Sequence, residues 1–136
     1  MASAVYPSGK EDILDGTIDL DTDTIKVRAV DLTADYTYNT AHDFADDVTA
    51  YSGTTDQTLG SITLTNGAFN AADVTFSSVT QDASKTIGAV VLYKDRGGAD
   101  SANELLAYVE LDSAVTPNGG DITIQWDNTA NYIFTL

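Results

Sequence analysis

Asp19, Asp21 and Asp23 (DLDTD) stand at alternate positions, the spacing with which a calcium loop begins to wrap carboxylate oxygens around a hard cation. An EF-hand would also need a glycine and a bidentate glutamate where this chain has Thr24 and Val30. The simpler expectation is an acidic strand edge that resists pairing with another edge, with a looser calcium site between strands as the alternative. His42 is the only histidine, which excludes a zinc site built on several imidazoles and leaves one candidate base for a Ser-His-Asp triad. No nucleophile elbow accompanies it, so an exposed histidine at a helix end is expected. The 21 acidic residues offer many carboxylate pairs and single out none for glycoside hydrolysis. Gly97-Gly98 and Gly119-Gly120 have neither phosphate-loop nor dinucleotide spacing, and Asn118 to Asp121 reads as a turn. The chain is therefore expected not to be an enzyme. No catalytic residue, cofactor-binding residue or metal ligand is assigned.

Aromatic residues are the remaining groups with recognition chemistry. Trp126 shares an alternating strand face with Ile122 and Ile124, a face expected to look into the core. Seven tyrosines, among them Tyr36, Tyr38 and Tyr51, could form a surface for sugar or protein, although tyrosine is also an ordinary strand residue.

Apolar periodicity sets the elements that must hold these groups. Ser8 and Glu11 have capping-box spacing, and the run to Leu14 ending at Gly16 suits one short helical turn. Ile18 and Leu20 alternate with polar neighbours, and Ile25, Val27, Ala29 and Val30 predict a half-buried strand with Lys26 and Arg28 facing outward. Between residues 33 and 51 periodicity is lost, and Thr40 is placed to cap a short helix through Phe44 to Asp47, with Phe44 and Val48 on one face. Leu59, Ile62 and Leu64 predict a strand that turns at Asn66-Gly67 and returns through Val74, Phe76 and Val79. Residues 86–94 (TIGAVVLYK) form a short, nearly continuous apolar run, which fits a central strand buried on both faces. A polar loop over 95–103 then leads back through a second strong strand from Leu105 to Val109. Residues 115–136 show a turn, an alternating strand, a second turn and a last strand, the pattern of a closing hairpin. Some seven to nine short strands result, so the expected class is all-β, an antiparallel β-sandwich or jelly-roll-like domain with one or two short helical turns. Residues 1–12 are expected as an N-terminal arm or short helix, and 13–136 as a single β domain.

Composition narrows the function. At 136 residues the chain can bury one core without staples, and it has no cysteine for disulfide or thiolate chemistry. No window approaches the length of an apolar membrane span, so no membrane partner is expected. The formal charge of −15 argues against phosphate backbones, where lysine and arginine must replace counterions, so nucleic acid is not an expected partner. Only Glu11, Glu104 and Glu110 are glutamates among the acids. The aspartate excess suits turns and strand ends better than helices.

Five stretches carry a resemblance: residues 10–31 (KEDILDGTIDLDTDTIKVRAVD), 72–79 (ADVTFSSV), 89–95 (AVVLYKD), 105–112 (LLAYVELD) and 115–136 (VTPNGGDITIQWDNTANYIFTL). Together they resemble a family of small virion structural proteins of tailed bacteriophages, and within it the capsid decoration or cement proteins. The resemblance implies attachment to the outer surface of the capsid and contact with the major capsid protein. It also implies a homo-oligomer, a trimer before a dimer. Residues 2–12 and 33–55 are the expected contact regions, because loops and termini carry interactions. Two alternatives are a tail or head-fibre module that recognises host glycan through tyrosines and Trp126, and a small virion hydrolase that uses His42.

Overall fold

The computed structural model describes residues 3–82, 84–127 and 132–136. Over these residues it is an all-β, sandwich-like fold with antiparallel sheets, one α-helix and two 3-10 turns. The strands are β1 (Ala4–Val5), β2 (Ile25–Val30), β3 (Gln57–Thr58), β4 (Thr63–Thr65), β5 (Ala68–Asn70), β6 (Val74–Phe76), β7 (Ile87–Lys94), β8 (Leu105–Val115), β9 (Ile122–Ile124) and β10 (Phe134–Thr135). A five-stranded sheet has the order β1-β8-β7-β2-β3, a three-stranded sheet the order β10-β5-β4, and β6 pairs with β9.

As its unbroken apolar run predicts, β7 occupies the centre of the large sheet with both faces covered. Side chains alternate along it. Val90 and Leu92 join Val27 and Ala29 of β2 in a core shared with Phe69, Phe76 and Ile124 of the smaller sheets and with Trp126 just beyond β9. Ala89, Val91 and Tyr93 point the other way, into a second core with Val30, Leu105, Tyr6, Tyr36 and Tyr108. An irregularity in the β7–β8 register sets Tyr93 against Leu105 and Leu92 against Ala107. Leu106 is thereby the extra residue, and Leu105 and Tyr108 can share the second core while Leu106 enters the first.

Helix α1 (Pro7–Leu14) runs two turns where one was expected, with proline in its first turn, as suits a residue lacking an N–H. The capping box does not form. Ser8 lies inside the helix, and its hydroxyl donates to the His42 carbonyl at 3.3 Å. The helix lies close on β8: a Cβ added to Gly9 would stand 2.8 Å from the Leu106 carbonyl oxygen. Residues 3–12 are thus part of the domain, with β1 paired to β8 and Tyr6 fully buried. Met1 and Ala2 of the expected arm lie outside the described residues.

Several pairings differ from expectation. Asn66 and Gly67, with φ of 52° and 83°, make a two-residue hairpin turn, but so tight a turn returns the chain through β5. Val74 and Phe76 belong instead to β6, paired with β9. The expected closing hairpin is absent as well, because β9 pairs with β6 and β10 with β5. The second turn expected there covers residues 128–131, which lie outside the described residues. Ile18 and Leu20 are buried without forming a strand, and the helix expected from Thr40 shrinks to a 3-10 turn (Ala45–Asp47) with Phe44 extended before it.

Candidate functional site

The two regions expected to make contacts, residues 3–12 and 33–55, meet where Tyr6 and Ser8 reach Tyr36 and His42 beside the second core, while Val5 and Tyr51 pack into the first. What holds the irregular segment there is a set of single side chains reaching into it from the sheet and the helix.

Arg28 is the first. Expected to face solvent, it is 7% exposed, because β2 lies beside the central strand and Arg28 sits opposite Val91 on a face that residues 45–56 cover. Its guanidinium uses all its donors. Nη1 donates to the Ala45 and Val48 carbonyls at 3.0 and 2.8 Å, Nε and Nη2 donate to Asp56 at 3.1 and 2.8 Å, and Nη2 also reaches Asp100 at 3.0 Å. The Tyr93 hydroxyl donates to the same Asp56 oxygen at 2.6 Å, and the Tyr93 ring lies under the guanidinium, 5.1 Å from centroid to carbon. Burial disfavours the cation, but the Asp56 and Asp100 carboxylates outweigh that and raise its pKa.

Asp31, 2% exposed, fixes the entry to the segment. One carboxylate oxygen accepts from the Thr33 amide and hydroxyl and from the Ala34 amide at 2.7 to 2.8 Å, and the other accepts from the Thr86 amide at 2.8 Å. Burial pushes its pKa up, and these donors overcome that to hold it at about 2.

A third anchor is aromatic. The Tyr6 and Tyr36 hydroxyls share a hydrogen bond at 2.7 Å, and Tyr36 stands 2.8 Å from His42 Nδ1. Tyr38 packs tilted on Tyr6 and Tyr108, with centroids 5.2 and 5.0 Å away. Burial, then the bond to Tyr36, raises the pKa of Tyr6. Tyr36 and Tyr51, considered as binding groups, are 5% and 0% exposed and serve as packing. His42 is half-buried beside Tyr36, not at a helix end, and its ring meets a tyrosine where a triad would need a serine. Trp126 lies in the core as expected, its Nε1 donating to the Ala72 carbonyl at 3.0 Å.

Asp19, Asp21 and Asp23 form a self-bonded turn. Asp23 accepts from the Asp19 amide at 2.8 Å and pairs with Lys94 at 2.9 Å, while Asp19 accepts from the Asp21 amide. Among the described residues no group of three or more histidines, cysteines or acids could hold a metal ion, and no helix is long and apolar enough to cross a membrane. Lys26, Arg28, Lys85, Lys94 and Arg96 all stand in ion pairs with acids of this chain. Their charge is used internally. Glu11, Asp43, Asp46 and Asp47 are left exposed around the joined contact regions.

Proline, glycine and aspartate patterns signalled the turns, but nothing local to residues 33–55 signalled its anchors. Arg28 is buried where β2 pairs with the doubly buried β7, a pairing the apolar pattern does not reveal. No family model matches the sequence, and no curated protein matches it.

Proposed function

We propose that the protein is a structural component of a tailed-phage virion, a decoration or cement protein that binds the outer surface of the major capsid shell through the face built from residues 3–12 and 33–55. The observation that supports this reading is the way that face is made. An irregular, acidic segment is fastened to a rigid sheet by Arg28, Asp31 and the Tyr6–Tyr36 pair, so little ordering entropy remains to be lost on docking. A preorganised surface of this kind suits repeated attachment, where modest contacts add through high effective concentration. Its exposed acids favour a basic partner surface and an association that weakens as salt rises. The major capsid protein would supply that surface. The glycan-binding alternative has less support, because Trp126, Tyr36 and Tyr51 are buried and Tyr38 is half-buried against Tyr6 and Tyr108.

The reading is tested by adding purified protein to shells assembled from the major capsid protein of the phage that encodes it, then counting bound copies after sedimentation. Hundreds of copies per shell are expected, falling at least tenfold for the triple variant D43K/D46K/D47K. A handful of copies per particle, or binding indifferent to these reversals, would overturn it.

A further inference from the structure

Strand β4 is an open sheet edge without a charged side chain. Among 136 residues with a net charge of −15, the sixteen from Gln57 to Ala72 contain no charged side chain, and β4 lies in their middle. Several other edges, β10 apart, have an acid close by, the usual guard against pairing. Asp73 adjoins β6, Asp121 and Asp127 flank β9, and Glu110 lies on β8 beside β1.

The two-residue turn at Asn66-Gly67 makes Thr65 and Ala68 the hydrogen-bonded pair that closes the hairpin. Thr63 and Thr65 therefore turn their backbone groups toward β5, and Leu64 turns its N–H and C=O outward. Among the described residues nothing bonds to them. The Leu64 side chain falls on the same sheet face as Phe69, its partner across the pair, and Phe134, the next partner along. Those two rings stack at 4.9 Å and are buried, yet Leu64 remains 47% exposed. The apolar row Phe134–Phe69–Leu64 simply stops at the sheet edge.

We infer that β4 is a self-association edge and that its occupant is β4 of a second copy, paired antiparallel about a two-fold axis at Leu64. In that register the two Leu64 residues exchange both free backbone hydrogen bonds, and Thr63 of each copy faces Thr65 of the other, a favourable cross-strand pair. The two apolar rows join into one, continuous from Phe134 to Phe134. Charge selects the occupant. Pairing this edge with itself sets two sixteen-residue uncharged stretches together in a molecule whose net charge is −15. The contact is isologous, so it closes as a dimer and does not build a three-fold ring. It is also short, which makes the dimer weak in dilute solution. The inference stands on the free chain and is independent of the virion reading.

Because the chain has no cysteine, a single Leu64→Cys substitution reports the contact directly. Hydrogen-bonded antiparallel partners sit about 5.5 Å apart at Cα, within disulfide reach. Under mild oxidation L64C is expected to give a disulfide-linked dimer at least tenfold faster than T49C, whose site is exposed elsewhere. Sedimentation equilibrium of the unmodified protein is expected to show a monomer–dimer equilibrium that strengthens with salt, as repulsion is screened, and that L64D weakens at least tenfold. Equal cross-linking of the two cysteine variants, a trimer, association that weakens with salt, or a dimer unaffected by L64D would each overturn it.

Discussion

Replacing Arg28 by methionine tests whether the irregular face is held by that side chain. Methionine approximates the length of the stem, so packing against Tyr93 and Val91 changes little and the loss is chiefly electrostatic and hydrogen bonding. Two buried carbonyls, of Ala45 and Val48, lose their donor. Each unsatisfied group costs about 1–3 kcal/mol, less where water can enter. Asp56, with a side chain only 16% exposed, loses its bidentate partner and keeps only the Tyr93 hydroxyl. Asp100 is 43% exposed and is solvated by water once the pair is broken, so its share is small. Breaking a buried pair from one side costs about 3–5 kcal/mol, and that range is the expected loss for R28M. A domain of this size is stable by about 5–15 kcal/mol, so the variant should still fold while showing a clearly lower urea midpoint. Adding D56N should return part of the loss, because the stranded charge is then removed. A loss below about 1 kcal/mol, the figure for an exposed ion pair, would show that Arg28 does not anchor the segment. An R28M/D56N double variant no more stable than R28M would refute the role given to the buried charge.

Asp31 should make stability depend on acid. Its folded pKa of about 2 lies below the ordinary carboxylate value, so the stabilisation is complete near neutrality and is lost as pH falls through about 4 toward 2. The shift is equivalent to about 2 kcal/mol, and urea titrations should show D31N less stable than the parent by at least that amount at pH 7, with the gap narrowing below pH 3. A gap independent of pH would contradict the four-donor account. Gly9→Ala should destabilise despite alanine's helix propensity, since the new Cβ meets two backbone oxygens at 2.8 and 2.9 Å that cannot swing away. The overpacking cost of about 1–3 kcal/mol opposes a propensity gain of about 1 kcal/mol. A raised melting temperature for G9A would refute the close approach of α1 to β8.

The strands that periodicity revealed are those whose burial is repeated along their length. β7 could be read as central because every residue from Ile87 to Tyr93 is buried, and β2 because its apolar positions alternate. Partner choice was harder, since an alternating segment such as Ile122–Ile124 is equally compatible with any apolar neighbour. Here the deciding contacts lie outside the strand, in the Trp126 amide accepted by Asp73 and the indole accepted by the Ala72 carbonyl, which tie the end of β9 to the start of β6. The Asn66-Gly67 turn was legible, but its consequence for pairing followed from turn length more than from hydrophobic pattern.

The joined face was the least legible part for a physical reason. Residues 33–55 carry no repeating burial, because they are held at a few points by groups distant in sequence: Arg28 to Ala45 and Val48, Tyr6 to Tyr36, Ser8 to His42. A polar side chain in a strand is by default assigned to solvent, and that default failed for Arg28. It failed because outward from a sheet means toward water only where nothing covers that face, and here a segment without periodicity does. Polar anchors of this type fix a loop's position without giving it a pattern. The same division explains β4. Its uncharged surroundings are visible in the sequence, but only the structure shows that Leu64 is exposed and that its free backbone groups and its unfinished apolar row lie along one edge.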